Sequence, residues 1–504
     1  MFQSISSRHH LPARVRGIVA AVALLGILQA LLPVSTALAV GDERRIDRRV
    51  QERMNGNQPV RVILVAGDSL NFLEGEMHRL GIARPLRVPI AHGLSAELTP
   101  DQIRYLAGRR EVVRVVYDAP VQLADTSFDP LQLATAYPTV VDAVSLWSGG
   151  AASLSGKGIG VAVIDSGIAP HPDLGNRVVV DKNFNPNVSD ATDAYGHGTA
   201  VAGIIAGDGT ASNGQYIGVA PQANLINLRV NDGSGAAPTS TIMNAILWAV
   251  ENRYVYNIRI LNLSLSASVQ ESYLTSPIDA AVEYAWLKGI AVVVAAGNNG
   301  PNSAFYAPAN DPFVITVGAT DDHGTTATAD DTLASFSSFG VTQDGVNKPE
   351  LVAPGRRIVT TLAASSLFAL NYPTYLVGSS YIRLSGTSMA APMVSGVATL
   401  YIESNPGVRP GQLKALLMAT AQALPLIGAG AGYPDAARAI AYQGLIGNAN
   451  HGIDPNNFLK VMYLQANNLS SLPSVSWDTV SWDSVSWNSV SWDSIAWNAV
   501  SWAN

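Results

Sequence analysis

Between residues 139 and 443 the sequence alternates short runs that are apolar at nearly every position with longer segments of small and amphipathic residues. A strand without polar alternation cannot face water on either side, so such runs need cover on both faces, as in a parallel α/β sheet. Buried strands are expected at 159–164, 224–229, 258–264, 290–295 and 313–317. Covering helices are expected at 241–252, 278–287, after Ser388, and at 411–421. The predicted fold class is α/β, a parallel sheet with helices on both faces.

A different pattern comes first. A strand at 60–65, a helix at 69–80, strands near 84–90 and 93–98, a helix from Thr99 to about Gly108 and a strand at 112–117 follow in the order βαββαβ. Thr99 supplies an N-cap, Pro100 a first-turn proline and Asp101 an acid at the positive helix end. The order is that of a small ferredoxin-like α+β unit. Ahead of it, Arg8, His9, His10, Arg14 and Arg16 precede an uncharged apolar run at 17–32, and Ala37 and Ala39 frame a small-residue site. That is the order of a secretory signal peptide, and Pro33 with the Ala-x-Ala ending favours cleavage over a membrane anchor.

The expected divisions are therefore a signal peptide at 1–39, the α+β unit at 40–125, the parallel α/β domain at 126–446, a linker at 447–473 and a tail at 474–504. A chain of 504 residues suits two or three such units. The net charge of -7 argues against nucleic acid as a partner, because phosphate recognition needs a basic face. There is no cysteine, which excludes disulfides, thiol nucleophiles and Cys-based zinc sites.

Three motifs carry chemistry. Asp165 ends a buried strand in an Asp-Ser-Gly turn, and open α/β sheets bind ligands at that carboxyl end. His197 lies between Gly196 and Gly198 at the entry of a helix of small residues, where glycines let other backbone approach the imidazole. Ser388, in Gly386-Thr387-Ser388-Met389-Ala390, opens an apolar helix whose positive end favours developing negative charge. Each alone has an ordinary structural counterpart: a turn, a solvated His, an N-cap Ser.

Together the three resemble the subtilisin family of serine peptidases, in its chain order of Asp, His, Ser. The resemblance covers roughly Val140 to Gln443, with further matches at His171-Pro172-Asp173-Leu174 and Gly218-Val219-Ala220-Pro221. It implies a secreted endopeptidase in which Ser388 is the nucleophile, His197 the base and Asp165 its orienting partner. Asn298, in Ala295-Ala296-Gly297-Asn298, matches the oxyanion position. Polypeptide substrate would lie extended between Gly233-Ser234-Gly235 and Ser264-Leu265-Ser266, with Ala295, Ala296 and Gly297 lining the P1 pocket. The family often has Gly where Ser266 stands, and its hydroxymethyl would narrow the pocket mouth. Residues 362–384 are longer and more aromatic than in compact relatives, so Tyr372, Tyr375 and Tyr381 are expected on the leaving-group side. The α+β unit then reads as an inhibitory propeptide, a partner within the same chain.

No cofactor is required by this chemistry and no metal site is expected. Asp173 matches one calcium ligand of relatives, but the loop Ser212–Tyr216 has no carboxylate, and a hard cation wants six or more oxygens. The acids at Asp321, Asp322, Asp330 and Asp331 read as a solvated loop. In the tail, Trp477, Trp482, Trp487, Trp492, Trp497 and Trp502 recur every fifth residue. That period suits neither a helix, where they rotate about 140° apart, nor a flat strand, where they alternate faces. A coiled β-type solenoid or a chain of aromatic stickers remains, with a cell-surface or polysaccharide partner. The competing reading is a catalytically silent module of this fold that binds peptides or a surface, and the intact triad with Asn298 opposes it.

Overall fold

The structure is a computed structural model and describes residues 43–67, 70–123, 136–147 and 153–467, with 469, 477, 480–482 and 485. The expected signal peptide, most of the junction between the two units and most of the tail lie outside the described residues.

The N-terminal unit comprises helix α1 (Arg48–Arg53), β1 (Val60–Ala66), α2 (Leu70–Arg79), β2 (Leu86–Val88), β3 (Gly93–Leu98), α3 (Pro100–Ala107) and β4 (Val112–Tyr117). Its strands pair antiparallel throughout in the order β2-β3-β1-β4. Thr99 and Gln102 form a capping box on α3, satisfying two backbone donors that the helix itself leaves open. Period-two alternation decides which face each β1 residue serves. Val62, Leu64 and Ala66 enter the unit's own core. Ile63 and Val65 instead join clusters shared with the larger body.

That body is built on β6 (Gly160–Asp165), β7 (Val178–Asn183), β8 (Asn224–Arg229), β10 (Ile258–Leu263), β12 (Ala291–Ala295) and β13 (Ile315–Asp321). Sheet order is β13-β12-β10-β6-β8-β7, parallel throughout, with β14 (Thr332–Leu333) antiparallel beside β13 and β15 (Leu351–Pro354) parallel to it. Helices α4 (His197–Ala206) and α8 (Thr387–Ser404) pack together against the sheet, as do α5 (Thr239–Glu251) and α6 (Pro277–Leu287). The expected α/β class is observed, with strand and helix bounds shifted by one or two residues in most cases.

The largest shift is at β13, which extends to Asp321. Its polar end hid it from a search for apolar runs, yet that end is buried because its groups are paired. Asp321 accepts from Arg356 at 3.0 Å and from Arg357, while the Thr320 hydroxyl meets that of Tyr433 at 2.6 Å. The Tyr433 hydroxyl also donates to Asp331 at 2.6 Å. Asp321, Asp322 and Asp331 are therefore buried structural acids, and of the four only Asp330 is exposed. A second correction concerns 447–473, expected as a linker. It contains helix α10 (Asn457–Ala466), capped by the Asn456 side chain. Leu459, Val461 and Met462 on this helix are buried in the main core.

Candidate active site

Asp165 stands at the carboxyl end of β6 and is 1% exposed. His197 is the first residue of α4, and its Nδ1 lies 2.8 and 3.0 Å from the two Asp165 carboxylate oxygens. Glycines make this approach possible. A Cβ on Gly198 would lie 2.2 Å from the Gly167 carbonyl oxygen, so any side chain there would push α4 off the Asp165 turn. Gly196 has φ +106°, and a Cβ on it would meet Ser366 Oγ at 2.5 Å.

Asp193 was not singled out from the sequence, yet it holds this corner together. Its carboxylate accepts from the Gly196 N–H at 2.7 Å, the Thr199 N–H at 2.8 Å, the Thr199 hydroxyl at 2.7 Å and the Ser166 hydroxyl at 2.8 Å. Burial pushes its carboxyl up, and these four donors oppose that rise. Ser166 Oγ in turn accepts from the Gly198 N–H at 2.9 Å, so the Asp165 turn and the start of α4 share one network. An Asp three residues ahead of a Gly-His helix start is a capping signal that could have revealed it.

Ser388 is the second residue of α8 and is fully buried. Its backbone carbonyl accepts from Ser264 Oγ at 3.1 Å, and its own Oγ donates a long 3.5 Å bond to the Ser264 carbonyl. His197 Nε2 is buried with no hydrogen-bond partner among the described residues. The Oδ1 of Asn298 accepts from the Thr387 N–H at 2.9 Å and the Thr387 hydroxyl at 3.0 Å. The carbonyl half of that amide is thus fixed on the residue preceding Ser388.

The expected substrate edges enclose a strand already present. Residues Pro120–Leu123 form β5, antiparallel both to β9 (Ala236–Pro238) and to β11 (Leu265–Ala267). Leu123 lies opposite Leu265, and Gln122 opposite Ser266. Gly233, Ser234 and Gly235 themselves make the turn ahead of β9, with φ of +98° and +93° at the glycines. Ser264 and Leu265 lie where β10 passes into β11, and Ala295, Ala296 and Gly297 follow the end of β12. The Gly297 N–H donates to Thr387 Oγ1 at 3.1 Å, which ties that segment to the start of α8.

The aromatic insert divides. Tyr372 and Tyr375 pack on each other, and Tyr372 on Phe368, whose ring centroid is 6.5 Å from that of His197. Tyr381 does not join them. It is buried beside His171, and its hydroxyl donates to Asp173 Oδ2 at 2.6 Å. Asp173 Oδ1 accepts from the Ala211 N–H at 2.7 Å. Both Asp173 carboxylate oxygens are thus engaged by protein donors. Among the described residues no group of three or more His, Asp or Glu is arranged to hold a metal ion.

Residues 156–445 match the model of the Subtilase family, peptidase S8, and the chain belongs to that family. It is 41% identical over 278 residues to serine protease AprX of Bacillus subtilis (strain 168), covering 53% of this chain and 61% of that protein. It is 35% identical over 271 residues to Subtilisin Savinase of Lederbergia lenta, covering 54% and 86%. The structure of fervidolysin from Fervidobacterium pennivorans, a keratinolytic enzyme related to subtilisin, aligns with a TM-score of 0.60. That alignment covers 78% of this chain and 62% of the other at 24% identity, a likeness of fold. This chain therefore spans less than two thirds of AprX.

Proposed function

We propose that this protein is a secreted serine endopeptidase that hydrolyses polypeptides through an acyl-enzyme on Ser388. The observation that carries the reading is the buried His197–Asp165 pair, with Nδ1 held at 2.8 Å and Nε2 unclaimed among the described residues. Nε2 takes the Ser388 proton as Oγ attacks the scissile carbonyl, and Asp165 stabilises the imidazolium. The oxyanion is met by the Ser388 N–H and the Asn298 side-chain amide, whose other half is anchored on Thr387. His197 then protonates the leaving amine, and water hydrolyses the acyl-enzyme by the same steps reversed.

The substrate strand would follow the path of β5, between β9 and β11. Because β5 follows directly on β4 of the N-terminal unit, that unit is read as an intramolecular inhibitor. Asp118 supports this reading, since its buried carboxylate accepts the Ser240 N–H at 3.2 Å and the Ser240 hydroxyl at 3.0 Å at the start of α5. Export rests on the signal-like N-terminus, and among the described residues no helix is long and apolar enough to cross a membrane. Retention at a surface falls to the repeats from Trp487 onward, because Trp477 and Trp482 are packed against Tyr463 of α10.

Ser388→Ala tests the reading. Loss of the nucleophile in a related subtilisin lowers kcat about a millionfold. The variant should fold, fail to cleave casein and refuse a fluorophosphonate label. Casein cleavage near the wild-type rate would sink the assignment.

A further inference from the structure

Phe458 of α10 is 1% exposed and lies in one buried apolar cluster with Ala280 of α6 and with Val65 and Val116 of the N-terminal unit. These residues come from three parts of the chain, and α10 lies beyond the stretch that matches the family model. We infer that helix α10 completes the docking surface for the N-terminal unit, and that it sets how long that unit stays on the catalytic body. The inference rests on the inhibitor reading above and adds the part of the chain that regulates it.

Two features make α10 a fixed element of that surface. At its start, the Asn456 N–H donates to Glu283 Oε2 at 2.7 Å, Asn456 Nδ2 to the Ser276 carbonyl at 2.9 Å, and the Asn457 N–H to the Leu274 carbonyl at 2.9 Å. Farther along, Trp477 and Trp482 pack on Tyr463, with Trp477 Nε1 donating to Asp454 at 3.1 Å and Lys288 Nζ to the Trp482 carbonyl at 2.5 Å. Trp477 and Trp482 thus brace the helix against the end of α6.

On the other side, Val65 and Val116 belong to the sheet face that turns away from the N-terminal unit's own core. Left uncovered they would be exposed apolar surface, which a released unit must tolerate. The Arg49–Glu271 ion pair at 2.6 Å also bridges the two bodies, giving an apolar centre with a charged contact. Truncating a buried aromatic anchor at such a centre usually speeds dissociation roughly tenfold or more.

The full chain tests this directly. Wild-type precursor should acquire activity on a fluorogenic peptide after a lag while the N-terminal unit is released. Phe458→Ala should shorten that lag about tenfold, Phe458→Leu should restore most of it, and Val116→Ala should shorten it from the other side. In the Ser388→Ala chain, which cannot process itself, Phe458→Ala should speed amide exchange in β1 and β4. This second readout also reports whether the variant is folded. A wild-type lag that is unchanged or longer in both Phe458→Ala and Val116→Ala overturns the inference and leaves the inhibitor reading standing. Full activity of the uncleaved wild-type chain with no lag overturns both.

Discussion

Tyr381 donates its hydroxyl to Asp173 Oδ2 at 2.6 Å, and the phenol is only 4% exposed. Burial first, then Asp173, raise its pKa, so the hydroxyl keeps its proton and remains a donor. The buried Asp173 carboxylate thus has a donor from within the protein.

Tyr381→Phe should lower stability by about 1.5–3 kcal/mol, the usual loss for a hydrogen bond to a charged group. Calorimetry on the Ser388→Ala protein with and without the substitution checks this. An unchanged melting point for Tyr381→Phe would contradict this account of Asp173.

Asn298→Ala should reduce kcat roughly a hundred- to a thousandfold with little change in KM, the scale seen when a related subtilisin loses the same donor. Thr387→Val, which removes the hydroxyl anchoring Asn298 Oδ1, should show a smaller loss of the same kind. Steady-state kinetics on a soluble peptide would decide. An unaltered kcat for Asn298→Ala would reduce that residue to a turn.

The third prediction concerns pH. Asp279 and Glu283 of α6 and nearby Asp311 are fully buried, and among the described residues neither Asp279 carboxylate oxygen finds a donor. Burial, then the Asp311 and Glu271 carboxylates, raise the Asp279 pKa well above the usual range. Burial pushes Asp311 up to about 7. A carboxyl raised in the folded state stabilises the protein fully below its unfolded pKa, about 4. That contribution is lost as pH rises through the folded pKa. Melting temperature should therefore fall between about pH 4 and pH 7 and above. Asp279→Asn, whose amide can donate to the acids around it, should gain roughly 1–3 kcal/mol at pH 8. Little of that gain should remain near pH 4. The account fails if thermal unfolding shows the same gain at both pH values, or none at either.

How much of this was legible in advance differs from element to element. Strand β6, apolar at every position before Asp165, could only be a buried parallel strand. The glycines around His197 and the helix after Ser388 likewise had readings fixed within a few residues of themselves. Asp193 was less legible because its four donors come from two segments that meet only after folding. Tyr381 was misassigned with Tyr372 and Tyr375 because aromatic composition does not say which way a ring points. Its partner Asp173 is far away in the chain.

The sequence by itself determined the parallel α/β class, the order of Asp165, His197 and Ser388, and the small unit ahead of them. Those follow from local periodicity and from motifs whose chemistry needs particular residue types at fixed spacing. Only the tertiary structure decided that β5 lies between β9 and β11, that Asp321 and Asp331 are buried and paired, and that 457–466 is a packed helix. Each of those depends on contacts between distant parts of the chain. A polar or apolar side chain is stable or costly according to what folding brings against it, and that neighbour cannot be read from sequence position.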